Sequence, residues 1–126
     1  MTARAITFIV GLFYLLSGGW AFLLPSSFYA TVATFPPYNL HLLHDAGAFQ
    51  VGLGVALVGA AVAGRWLAPV VMGALAGSLL HLLAHLIDIN LGGHPATDLP
   101  SLALIVAALV VALVLEMRGA VCVHRS

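Results

Sequence analysis

The chain has 126 residues, 63% hydrophobic and only 6% charged, with four arginines, no lysine and a formal net charge of zero. A soluble domain carries about 25% charged residues to clothe its surface, so this composition excludes an ordinary water-soluble exterior and names lipid as the natural solvent. The charge balance gives nucleic acid nothing to bind to. The lone Cys122 excludes an internal disulfide, a zinc finger and a CxxC redox motif.

The first apolar segment runs from about residue 5 to 24 and stops at Pro25. Gly19-Trp20-Ala21 loosely fits a signal-peptide cleavage site, but a first membrane helix is the better reading of its length. A loop follows over 25–45. It holds Phe28, Tyr29, Phe35, Pro36, Pro37 and Tyr38, aromatic and stiff residues suited to the headgroup layer. The second, third and fourth segments cover about 46–64, 66–91 and 99–117. Each approaches the roughly 20 residues that a helix needs to cross the hydrocarbon layer. In lipid a segment must pair its own backbone groups, so helices are the expected form.

The arginines set the expected orientation. Arg4 precedes the first helix, Arg65 lies between the second and third, and Arg118 and Arg125 follow the fourth. In an up-down-up-down bundle all four fall on one side, which the positive-inside rule makes the cytoplasm. The fold class expected is all-α: one domain over 1–126, a transmembrane four-helix bundle with both termini inside, multi-pass in the cell membrane. The tight Gly64-Arg65 link makes the second and third helices an antiparallel hairpin. Gly73 and Gly77 form a GxxxG pair on the third helix. The second carries Ala48, Gly52, Ala56 and Gly59, and the first Gly11 and Gly18. These small residues are expected to let backbones approach inside the bundle, with dimerisation as the weaker use.

Histidine and aspartate are distributed unevenly. Apart from His124 in the tail, every histidine falls in the outward half: His41, His44, His81, His85 and His94, joined by Asp45, Asp88 and Asp98. His81, His85 and Asp88 are spaced i, i+4, i+7 and share a helix face. Counting outward from Arg65 puts Asp45 level with His85, and His44 nearly so. On a third helix ending near residue 91, His85 lies about 9 Å and His81 about 15 Å below its outer end, at about 1.5 Å per residue.

Ionisable groups at that depth are costly, about 2.5–3.5 kcal/mol for a central charge, and mark function by default. Imidazole suits transition metals and carboxylate can complete the shell. His41, His44, Asp45, His81, His85 and Asp88 are therefore the candidate ligands for zinc, copper or iron. His44 and His85 are the better-levelled axial pair for a haem. An Asp–His proton-handling or solute-binding site, as in a transporter or accessory subunit of a membrane complex, is the alternative, and a hydrogen-bonded structural cluster a third. Enzymatic activity stays open, as do homo-oligomer and membrane-complex assembly. Gln50 is read as a bond between helices, and Thr97 and Asp98 as the cap of a fourth helix with Pro100 in its first turn. His94 reads as solvated and Glu116 as an inner-interface residue near Arg118. Tyr14, Ser17 and Trp20 could close the site from the first helix, but read better as packing and interface residues. Cys122 reads as an inert tail thiol.

Asn39-Leu40-His41, then Asp45-Ala46-Gly47-Ala48-Phe49 and the glycine-rich run Val51–Leu57, followed by His81-Leu82-Leu83-Ala84-His85-Leu86-Ile87-Asp88, resemble small four-helix bacterial membrane proteins of the broad DoxX-like type. The resemblance spans most of the chain through short motifs. It implies the four-helix fold in a bacterial inner membrane and points at the same His and Asp residues. Relatives of that type are associated with quinone-linked sulfur oxidation or oxidative-stress complexes; the single tail cysteine argues against thiol-based redox here.

Overall fold

The computed structural model describes residues 2–123, with side chains through Gly119. His124 and Arg125 lie outside the described residues, and so does the side chain of Cys122. Five helices follow one another: α1 (Ala3–Leu23), α2 (Pro25–Thr31), α3 (Leu40–Ala63), α4 (Leu67–Ile87) and α5 (Pro95–Val123). No strand occurs among the described residues. Four of these, all but α2, are long and apolar enough to cross a membrane, the build of a multi-pass membrane protein. Their outward side chains agree: Leu16, Phe49 and Leu104 are 74%, 80% and 71% exposed, a surface for acyl chains rather than water.

Caps explain where the helices begin. Thr2 Oγ1 accepts from the Ala5 N–H at the start of α1. Asn39 Oδ1 accepts from the Leu42 N–H, so α3 starts at Leu40 rather than near residue 46. His41, His44 and Asp45 are thus helical, and the expected 25–45 loop shrinks to 32–39 behind α2. Pro25 opens α2 at a position where a missing N–H costs nothing. α4 ends at Ile87, short of residue 91, with Asp88 at its C-cap. α5 begins at Pro95 instead of 99, because Asp98 Oδ2 reaches back to accept the His94 N–H at 2.7 Å. Pro100 consequently lies inside the helix rather than in its first turn.

The closest packing is between α1 and α3, with α4 set mainly against α5. A Cβ built on Gly54 would lie 2.7 Å from the Leu15 backbone nitrogen, and one on Gly47 would lie 2.8 Å from the Gly18 carbonyl. Only glycine permits that approach, in which dispersion contacts and lipid release replace the hydrophobic drive. Gly11 and Gly18 serve this contact as expected. The expected set Ala48, Gly52, Ala56 and Gly59 does not: it is exposed, and nothing lies within 4 Å of a Cβ on Gly52 or Gly59. Adjacent helical residues point about 100° apart, so the contact face falls to Gly47 and Gly54 instead. Gly73 and Gly77 are likewise open. The buried ribbon of α4 is Leu67, Val71, Ala74 and Ser78.

The expected face-to-face hairpin of α3 and α4 is also revised, since the two touch only sparingly. Gly64 and Trp66 both adopt left-handed backbone at the turn between them. Arg4 closes that end. Its Nε donates to the Ala61 carbonyl at 2.8 Å and its Nη2 to the Val62 carbonyl at 2.9 Å. These are last-turn acceptors of α3 that otherwise lack partners, and a cation there also opposes the helix dipole. The core gathers Ile6, Val10 and Tyr14 of α1, Leu57 of α3, Val71 and Ala74 of α4, and Leu109 and Ala112 of α5.

Candidate functional site

Away from the Arg4 end, the helices part around a cavity of about 590 Å³, within the roughly 300–1,000 Å³ usual for small-molecule sites. α1 contributes Phe13, Tyr14 and Ser17. Phe28 and Tyr29 of α2 line it, as do Phe35 and Asn39 of the following loop, Gln50 of α3, His81 and His85 of α4, and Asp98 and Ser101 of α5. Tyr14 Oη and Ser78 Oγ share a buried hydrogen bond of 2.8 Å, and Ser78 Oγ donates onward to the Ala74 carbonyl at 2.7 Å. That link ties α1 to α4 just below the histidines, because His81 and His85 follow Ser78 at i+3 and i+7 on one ribbon.

The two imidazoles stand 5.0 Å apart between ring centres, inclined at 54°. Phe35 meets His85 edge-on at 5.4 Å. His85 Nδ1 lies 3.9 Å from Asp98 Oδ2, beyond a direct hydrogen bond but within electrostatic reach. Both side chains are largely buried. Because α4 stops at Ile87, His85 sits in its last turn and His81 one turn deeper; both are nearer the helix end than a helix running to residue 91 would place them.

Two glycines let the covering loop dock. Gly92 and Gly93 have φ of 147° and 76°, and the Gly93 N–H donates to the Thr34 carbonyl at 3.2 Å. A Cβ on Gly92 would lie 2.7 Å from that carbonyl, and one on Gly93 would lie 2.7 Å from the Phe35 ring. The Gly-Gly pair therefore allows Phe35 to reach His85.

No known family, curated protein or solved structure matches this chain.

The six metal-ligand candidates are distributed over separate places. His81 and His85 line the cavity together. His41 Nε2 pairs with Asp45 Oδ2 at 3.4 Å on the first turns of α3, where the side chains are 87% and 54% exposed. His44 lies against the Phe22 ring of α1 at 5.1 Å and does not line the cavity, so the His44–His85 axial pair does not face across it. Asp88 caps α4, its N–H bonded to the Ala84 carbonyl. Among the described residues no three His, Cys, Asp or Glu side chains form a group that could hold a metal ion.

Asp98 is the residue that sequence reasoning misplaced, by giving it a capping role alone. It caps and also faces His85. His85 lies seven residues before Gly92 and Asp98 five after Gly93, a weak signal beside the sufficient explanation that capping gives. Tyr14 and Ser17 also belong to the cavity, whereas Trp20 packs edge-on against Phe28 and donates to Ser27 Oγ. Gln50 lines the cavity and has no side-chain hydrogen bond among the described residues, rather than bonding across helices. His94 is exposed.

Proposed function

We propose that this chain is a four-span, up-down membrane bundle with both termini in the cytoplasm, and that it binds a small amphipathic solute in the cavity beneath its outer face. It would act as a transporter or as the solute-binding subunit of a membrane complex. The observation that carries this is the cavity itself: aromatic walls, with His81, His85 and Asp98 close together in its lining. Such a shape suits a molecule with an apolar body and a polar head. The orientation is supported by Arg4, which lies against the α3 end beside Arg65. α5 starts at the other end, next to the 34–35 loop, and carries Arg118 far along its length. The DoxX-like resemblance is consistent with this fold and adds no substrate.

The test is binding of the neutral fluorophore N-phenyl-1-naphthylamine to the full chain in nanodiscs, measured above empty nanodiscs. Saturable binding is expected, and Ala46→Trp should abolish it by filling the cavity while the melting temperature holds. Binding that never saturates, or that ignores the tryptophan, refutes the reading.

A metal or haem in the same cavity is the second reading, favoured by two imidazoles one turn apart with a carboxylate facing them. As placed, these groups do not converge as a metal-holding set, so ligation requires their side chains to turn. Elemental analysis together with a visible spectrum of the purified protein decides it. Background metal and no Soret band would remove it.

A further inference from the structure

The cavity lining carries a consistent charge pattern. Among the described residues, Asp98 is its only carboxylate and no arginine lines it; the chain has no lysine. An anionic head would meet that carboxylate with no permanent cation in the lining to offset it, in surroundings of low dielectric where such repulsion is weakly screened. Five aromatic rings (Phe13, Tyr14, Phe28, Tyr29 and Phe35) also line it. Ring faces carry negative quadrupole density and attract cations, quaternary ammonium groups above all.

The hydrogen bonds at Asp98 leave capacity on one side. Its Oδ2 accepts the His94 N–H at 2.7 Å. Among the described residues, the one hydrogen-bond contact of its Oδ1 is Thr97 Oγ1, at 3.4 Å. That hydroxyl has one proton, and the shorter contact of 3.0 Å to the His94 carbonyl claims it. Oδ1 thus keeps lone pairs for a further donor or cation, and the side chain is 15% exposed, within reach of the cavity. A carboxylate in a membrane interior demands a partner. His85 at 3.9 Å supplies one only when protonated.

From this juxtaposition of a single carboxylate with walls that hold five aromatic rings, we infer that the cavity takes a lipophilic organic monocation, such as an alkylated or aromatic amine, with its charge at Asp98 and its bulk among the rings. The inference rests on the cavity being a binding site, as proposed above.

The probes are tetraphenylphosphonium and its isosteric anion tetraphenylborate, with triphenylphosphine oxide as the neutral control. Each is titrated into the full chain in nanodiscs against empty nanodiscs. Tetraphenylphosphonium should bind saturably, at least tenfold tighter than either control. Asp98→Asn keeps an oxygen that can cap His94 and should lose at least tenfold in cation affinity. Asp45→Asn removes an exposed carboxylate outside the cavity and should change nothing. Should Asp98→Asn fail to fold, Tyr29→Leu keeps the charge and removes a ring; it should weaken the cation while sparing the oxide. Equal binding of cation and anion overturns the inference, as does an Asp98→Asn protein that binds the cation as the parent does. If N-phenyl-1-naphthylamine still binds and Ala46→Trp still blocks it, only the charge assignment has failed. If that fluorophore does not bind either, the cavity reading falls with it.

Discussion

Tyr14 is a polar residue that the helix pattern cannot distinguish from core. It occupies the same α1 face as Ile6 and Val10, and its hydroxyl finds Ser78 on α4 only because the bundle brings them together. Tyr14→Phe keeps the ring packing and removes one buried hydrogen bond. Ser78 still has the Ala74 carbonyl, so no donor is orphaned. The expected cost is about 0.5–1.5 kcal/mol, toward the lower end for membrane helices, read as a lowered unfolding midpoint in detergent. A loss above about 3 kcal/mol would mean that the hydroxyl organises more than this pair. At the same scale, His81 and His85 were legible from their spacing, since i and i+4 share a face whatever the neighbours are. Asp98 was not, because a carboxylate in a first turn already has a sufficient explanation as a cap.

Helix existence was legible for the four long elements, because length and hydropathy decide it. Helix direction was not. α3 is apolar almost all the way round, with glycine and alanine on several faces, so its pattern points nowhere. Ala48, Gly52, Ala56 and Gly59 stood out in the sequence at helical spacing, yet Gly47 and Gly54, seven apart, make the contact. This yields a paired prediction. Gly54→Ala drives a Cβ toward the Leu15 backbone and should destabilise by about 1–3 kcal/mol, the usual range for overpacking. Gly52→Ala meets nothing and should be neutral or stabilising by up to about 1 kcal/mol through helix propensity. Denaturation of both variants in the same detergent compares them directly, and the reverse order would mean that the α1–α3 contact is wrongly assigned. The sparse contact between α3 and α4 has a separate reason: chain neighbours joined by a tight turn need not be packing neighbours.

For the whole molecule, the arginine count predicts sidedness and the contacts give it a physical frame. In a Cys122→Ser background, a cysteine at Tyr38 should react with a membrane-impermeant maleimide in intact cells. One at Arg65 should react only after permeabilisation. The opposite result would invert the bundle and move the cavity to the cytoplasmic half. The polar residues that the sequence pools into one centre are spread around the molecule, because shared depth does not fix azimuth. His41 and Asp45 took the rim of α3, His44 leaned on α1, and the cavity was completed by α5.

Arg4 carries two messages at once. It is one of the few cations by which insertion machinery would gauge sidedness, and its guanidinium is also tied to the tail of α3. Neutralising it would therefore loosen the α1–α3 pair, by about 1 kcal/mol on the dipole scale alone, while weakening the orientation bias. A charge-reversal survey that includes Arg4 would confuse a poorly folded protein with an inverted one, and Arg118, far along α5, is the cleaner place to begin.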